Sequence, residues 1–169
     1  MRWLVLTGFM GAGKTAVGRR VATRLDRPFL DADRQIEERA GMPIPEIFSR
    51  RGELWFRRTE EAVVREILGG DPGVLALGGG ALESARTRGL VARVADVVWL
   101  RASLEVAWAR VKDSDRPLAT DPDRFARRAR AREAGYREAA DLEVDADAPA
   151  DEVAARVAAW AQREARAAT

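Results

Sequence analysis

Apolar positions along this 169-residue chain fall into two kinds of run. Short apolar stretches at Trp3 to Leu6, Pro28 to Asp31, Gly73 to Leu77, Val97 to Leu100 and Leu142 to Asp145 read as strands, the first of them buried on both faces. Between them the period lengthens to that of a helix. Val17, Val21 and Leu25 share one side, and Phe56, Val63 and Ile67 form the stripe of a helix from Glu53 to about Leu68. Val153, Val157 and Trp160 recur at helical spacing, after which the tail is expected to fray from Arg163 to Thr169. Strands alternating with helices predict an α/β chain with a five-stranded parallel sheet between two helical layers. The length predicts a single domain over residues 1–169. Residues 112–124 lack periodicity and hold two prolines, which predicts a mobile lid loop bounded near residues 111 and 124.

The turn after the first strand carries the sharpest chemical signal. Gly8-Phe9-Met10-Gly11-Ala12-Gly13-Lys14-Thr15 is a complete phosphate-binding loop, G-x-x-x-x-G-K-[ST], in the required order of strand, loop and helix. The glycines let the N–H groups of Gly11, Ala12, Gly13 and Ala16 turn towards phosphate oxygens at a helix N-terminus. Lys14 bridges the outer phosphates, and the Thr15 hydroxyl is offered to Mg2+. Ala16 lacks the hydroxyl that would add a further contact.

Composition removes several other chemistries. With no cysteine and no histidine, the chain has no thiolate nucleophile, no disulfide and neither usual metal ligand, so acid–base work falls to carboxylates. The formal charge is only +2, and the high isoelectric point of about 9.6 reflects an arginine-rich chain without histidine. Neither a nucleic-acid partner nor a membrane is therefore expected. The apolar stretch after Arg2 is broken by Gly8, Gly11 and Gly13, so a leader is not expected there, and a cytoplasmic location and a monomer are the expectations.

Asp31 and Asp33 close the second strand. Two residues apart on a strand, both carboxylates are expected to face the crevice at the carboxyl edge of the sheet, where the phosphate loop opens. Phosphoryl transfer needs a held Mg2+ and an oriented acceptor hydroxyl, so Asp31 is assigned to the metal through water and Asp33 to the hydroxyl. The alternative use of Asp33 is to cap a helix beginning near Arg34, which is compatible with catalysis.

Two arginines project inward. Glu60 falls inside the apolar stripe of its helix, and Arg57, three residues before it, is placed to be oriented by it. In the arginine-dense stretch from Asp123 to Arg137, Phe125, Ala129, Arg132 and Tyr136 share one stripe, Arg127 and Arg130 point away, and Arg128 flanks it. Two guanidiniums in a crevice suit an acceptor bearing a carboxylate or phosphate, or else structural pairing with buried acids such as Glu60. Gly78, Gly79 and Gly80 end a buried strand with bare backbone, either for a tight turn or for close approach by a ligand. Arg116, in the lid, is placed to swing over the phosphates during transfer, and Arg110 to stack on adenine.

Taken together these residues resemble the shikimate kinase family from Leu4 to about Asp145. The matching strings are the phosphate loop with Val17-Gly18-Arg19-Arg20, Leu30-Asp31-Ala32-Asp33, and Gly41-Met42-Pro43-Ile44-Pro45-Glu46-Ile47-Phe48. Gly52-Glu53 with Phe56-Arg57-Arg58-Thr59-Glu60, Gly78-Gly79-Gly80-Ala81, Arg116-Pro117-Leu118, and Arg132 four before Tyr136 complete the set. The resemblance implies a nucleoside-monophosphate-kinase-like P-loop fold with a substrate-binding region at about residues 33–61. It implies transfer of the ATP γ-phosphoryl to the 3-hydroxyl of shikimate in chorismate and aromatic amino-acid biosynthesis. Asp33 would meet that hydroxyl, and Arg57, Arg132 and the Gly79 backbone, flanked by Gly78 and Gly80, would bind shikimate. Phe48 and Phe56 would floor the site, with Glu60 beside Arg57. Lys14, Thr15, Asp31 and Arg116 would serve Mg-ATP and transfer, making Lys14, Asp33 and Arg116 the catalytic set. The chain departs from the pattern in lacking proline before Tyr136 and in a shorter lid. A gluconate-type kinase and a non-catalytic RNA-binding module are the rival readings.

Overall fold

A computed structural model describes residues 1–114 and 121–167. Five parallel strands, β1 (Trp3–Thr7), β2 (Phe29–Asp31), β3 (Val74–Ala76), β4 (Ala95–Arg101) and β5 (Leu142–Asp145), form one sheet in the order β2-β3-β1-β4-β5. β1 lies at the centre, with Leu6 in register with Ala76 of β3 on one side and Val98 of β4 on the other. The strand order diverges on either side of β1, which opens a crevice beyond the strands' carboxyl ends.

β1 is buried along its whole length because each face meets a separate core. Leu4 and Leu6 point towards Val17 and Val21 of α1 (Lys14–Leu25) and Val153 and Val157 of α7 (Ala150–Ala167). Trp3 and Val5 point the other way, into a cluster with Val64, Val91 and Phe125. Those three belong to α3 (Ile44–Leu68), α4 (Ala85–Val94) and α6 (Pro122–Ala139). The predicted three-layer arrangement is therefore present. A smaller cluster of Ile36, Ile47, Phe56 and Val63 joins α2 (Ala32–Ala40) to α3.

Several boundaries differ from the sequence reading. The second strand stops at Asp31, and helix α2 starts at Ala32, so Asp33 lies in the first turn of a helix and not on the strand. The cap of that helix is Asp31, whose Oδ1 accepts the N–H groups of Asp33 and Arg34 at 3.1 and 3.4 Å. Such a cap stabilises a helix by about 1 kcal/mol and favours a helical first turn at Asp33 over a longer strand. The segment expected as a lid from residue 111 to 124 is also narrower. α5 (Leu104–Val111) runs to its start, and α6 begins at Pro122 with Asp121 accepting the Arg124 N–H at 2.9 Å. Arg116 lies outside the described residues. The tail does not fray from Arg163: α7 continues to Ala167, carried by alanine and arginine, both strong helix formers.

The helix expected from Glu53 is the second half of α3, which is interrupted at Gly52 with φ 81° and ψ 167°. A residue with a Cβ is strained there, so glycine is what allows the two halves to meet at an angle. Among the described residues nothing lies within 4 Å of the position a Cβ on Gly52 would take, and the same holds for Gly135 inside α6. Gly52→Ala is therefore expected to destabilise the fold by about 1–3 kcal/mol through backbone strain alone. Gly135→Ala, at an ordinary helical position, is expected to stabilise it by about 0.5–1 kcal/mol. Urea unfolding of the two variants reads these opposite signs, and shifts of the same sign would contradict the backbone account.

Candidate active site

The phosphate loop is built by the end of β1 and the start of α1. Gly13 takes a left-handed conformation, φ 88°, as the residue that caps α1, which turns the loop back over the helix N-terminus. Lys14 Nζ donates to the carbonyls of Gly8 and Phe9 at 2.7 and 3.1 Å, folding the side chain across the loop. Thr15 Oγ1 donates to Asp31 Oδ2 at 2.6 Å. Asp31 therefore joins two elements, one oxygen capping α2 and the other held by the first turn of α1.

An open cavity of about 260 Å³ is lined by Gly13, Lys14, Thr15, Asp31, Asp33 and Arg110, among others. The nucleotide-loop side chains and Asp33 thus share one space, although Asp33 reaches it from a helix and not from the strand. Arg110 donates to the carbonyls of Gly11 and Ala146 at 3.0 and 3.2 Å, bracing the loop against the end of β5. A second cavity of about 200 Å³ lies beyond Phe9, between α5 and α6, and is lined by Trp99, Glu133 and Tyr136. Its lining includes neither Lys14 nor Asp33.

The three glycines after β3 are the backbone against which the charged groups converge. A Cβ on Gly78 would lie 2.6 Å from Glu60 Oε1 and 2.7 Å from Asp33 Oδ1. A Cβ on Gly80 would lie 2.5 Å from Arg57 Nη1 and 2.8 Å from Arg132 Nη2. Side chains at these positions would displace the charges, so here the glycines provide space as well as a turn. Gly79 lies between them, its carbonyl accepting the Tyr136 hydroxyl.

Arg57 and Glu60 meet as the helical spacing predicts, Arg57 Nη1 donating to Glu60 Oε2 at 2.8 Å. Glu60 is 3% exposed and its Oε1 has no hydrogen-bond partner among the described residues. Burial pushes the Glu60 carboxyl above the ordinary carboxylate range, Arg57 opposing the shift and the charge of Asp33 adding to it. Burial lowers the Arg57 guanidinium, but the charge and hydrogen bond of Glu60 outweigh it and the net shift is upward. Phe48 and Phe56 stack at 4.8 Å between centroids, and the Arg57 guanidinium lies 5.2 Å from the Phe56 ring.

Arg132 points inward with its side chain 9% exposed, whereas Arg127 and Arg130 are exposed, in keeping with their projection along α6. Arg128 is partly exposed and reaches Glu83. Two contributors escaped the sequence reading. Glu83 forms an ion pair with Arg132, and it sits in a single 3-10 turn, Ala81–Glu83, which has no apolar period to mark a facing side chain. The Tyr136 hydroxyl bond to Gly79 was also missed, since the residue's place on the stripe shows only that it is buried.

Comparison with known proteins gives the family. The family model described as shikimate kinase matches residues 10–162. A shikimate kinase of Ruegeria pomeroyi is 50% identical over 121 residues, which cover 71% of this chain and 62% of that protein. One of Bradyrhizobium diazoefficiens is 50% identical over 123 residues, covering 72% of this chain and 59% of that protein. The chain thus spans about three fifths of the length of these curated relatives. The solved structure of shikimate kinase from Acinetobacter baumannii in complex with shikimate superposes with a TM-score of 0.92 at 34% identity, covering 97% of this chain and 94% of that one. With a family model matched over residues 10–162, the chain belongs to the shikimate kinase family.

Proposed function

We propose that this chain transfers the γ-phosphoryl group of ATP to the 3-hydroxyl of shikimate, releasing ADP and shikimate 3-phosphate, in chorismate and aromatic amino-acid biosynthesis. The observation that carries the reading is the junction at Gly78: Asp33 lies there beside the Arg57–Glu60 pair while also lining the cavity that holds Lys14 and Thr15. An acceptor lodged against the glycines would present a hydroxyl to Asp33 and a carboxylate to Arg57 and Arg132. An uncharged polyol acceptor would give the two guanidiniums less to do. The A. baumannii relative is a shikimate complex, which supports the same substrate class.

The phosphates of ATP would lie on the loop N–H groups at the start of α1, where the helix adds partial positive charge. Lys14 would exchange its carbonyl partners for phosphate oxygens, a change of geometry but not of side-chain charge. Asp33 would accept the proton of the acceptor hydroxyl as its oxygen bonds to the γ-phosphorus and the bond from that phosphorus to the bridging oxygen of ADP breaks. Phe48 and Phe56 would support the apolar face of the acceptor ring.

The Thr15 hydroxyl and Asp31 carboxylate form an oxygen pair at the loop, which fits Mg2+, since that ion needs few protein oxygens beside phosphates and water. Among the described residues there is no group of three or more acidic, histidine or cysteine side chains suited to a metal, consistent with a site completed by the nucleotide. When bound, the ion supplies neutralisation of phosphate charge. Arg116 and Arg110 are assigned to transfer and to adenine on the sequence pattern. We take the protein to act as a cytoplasmic monomer without nucleic acid or membrane. Among the described residues no helix is long and apolar enough to cross a membrane.

The direct test is ADP release with Mg-ATP and shikimate, gluconate or no acceptor. Release that depends on shikimate alone is the expected result, and acceptor-independent release would overturn the reading. Asp33→Asn is expected to lower kcat by roughly 10²- to 10⁴-fold with the KM for ATP largely kept. Near-normal turnover would remove Asp33 from proton transfer. Truncating Arg57 would leave Glu60 as a buried unpaired charge, at a cost of about 3–5 kcal/mol, so a charge-preserving change is the cleaner probe. Arg57→Lys is expected to weaken acceptor binding by about 1.5–3 kcal/mol, roughly ten- to a hundredfold in acceptor KM, because lysine lacks the planar fork. An unchanged acceptor KM would take Arg57 out of the site.

A further inference from the structure

Behind Arg132 stands a carboxylate that the proposed chemistry does not use. Glu83 Oε1 accepts from Arg132 Nε at 2.5 Å, and its Oε2 lies 3.4 Å from Arg128 Nη2. The Glu83 side chain is 44% exposed, and ion pairs so open to solvent contribute little to folding. The pair's value is therefore to be sought in what it does to the guanidinium.

That guanidinium is held on every side except one. Its carbon lies 5.6 Å from the centroid of the Phe9 ring. Tyr136, four residues further along α6, donates its hydroxyl to the Gly79 carbonyl beside it. Nη2 and Nη1 face the bare backbone, 2.8 Å from a Cβ on Gly80 and 3.7 Å from one on Gly79. Arg57 Nη1 lies 2.5 Å from the same Gly80 position. Two cations brought so near each other repel unless each has a counter-charge, and Glu60, 2.8 Å from Arg57, supplies that of Arg57. Burial would raise the Glu83 carboxyl, but the hydrogen bond and charge of Arg132, with Arg128 and Arg57 behind them, outweigh it and keep the group below its usual range.

We propose that Glu83 is a positioning residue for the acceptor carboxylate: by engaging Arg132 through Nε, it turns the two terminal nitrogens towards the glycines and sets the site's preference for an acidic acceptor. Of the five N–H donors of arginine, the Nε donor is the one that can be tied down while the terminal fork stays available for bidentate contact. This inference rests on the function proposed above.

The test compares wild type with Glu83→Gln, Glu83→Ala and Glu83→Asp, using shikimate and the corresponding carboxamide as acceptors. Glu83→Ala and Glu83→Gln are expected to raise the shikimate KM about tenfold while kcat and the KM for ATP stay within about twofold. Glu83→Asp recovers part of the loss, and Tm is unchanged across the series. With the carboxamide, wild type and Glu83→Gln show the same KM, since no carboxylate is there to be aimed at. An unchanged shikimate KM overturns the inference. So does a loss that appears equally in kcat, in both KM values and with both acceptors, which would mark Glu83 as a structural residue. A wild-type protein that releases no ADP with shikimate overturns the proposed function together with the inference, an outcome distinct from the other two because it is seen before any substitution is made.

Discussion

One carboxylate ties the two halves of the site together. Asp31 ends β2, receives the Thr15 hydroxyl on one oxygen and the first N–H groups of α2 on the other. The nucleotide loop and the helix that carries Asp33 are thereby fixed to a common point at the edge of the sheet. A carboxylate accepting several hydrogen bonds has little freedom to rotate, so the direction of Asp33 follows from the same constraint that places Thr15. In the proposed reaction the separation between phosphate and acceptor would be set by the packing of α1, β2 and α2, without requiring a contact between the two ligands.

Around this joint the charges are arranged in alternating sign. Glu60 is buried beside Asp33 and is balanced by Arg57, while Arg132 lies across the glycines with Glu83 behind it. No guanidinium in the set faces the crevice without an acid against its other side. Each arginine is thus oriented before a ligand arrives, and the entropy of ordering a long side chain is largely met during folding instead of during binding. The apolar contacts act in the same sense, with Phe56 next to Arg57 and Phe9 next to Arg132.

Much of this was legible in the residues. The phosphate loop declares itself because its geometry demands particular residue types at fixed spacing, and the layer order follows from strands alternating with helices. Arg132 could be picked from 27 arginines because helical projection puts it on an apolar stripe, and Arg57 because it lies three residues before Glu60 on another, signals that survive without knowledge of tertiary contacts. Asp33 was expected to reach the crevice from a strand and lines the cavity from a helix. A strand and a helix N-terminus both keep Asp31 and Asp33 near the crevice, and only the hydrogen bonds of Asp31 decide between them. Glu83 had no comparable signal, since a three-residue turn has no period and its partners lie 45 and 49 positions away. The end of α7 was misjudged for a different reason: exposed arginines were read as a loosening tail, although with alanine they propagate a helix well.

The break at Gly52 divides the floor of the proposed acceptor site. Phe48 belongs to the half of α3 before the glycine and Phe56 to the half after it, yet their rings stack on each other. The shape of that floor is consequently governed by two backbone torsions outside it, in addition to the side chains that form it. A lineage could widen or narrow the space for an acceptor ring by changing the angle between two rigid rods, with every residue that touches the ligand left as it is.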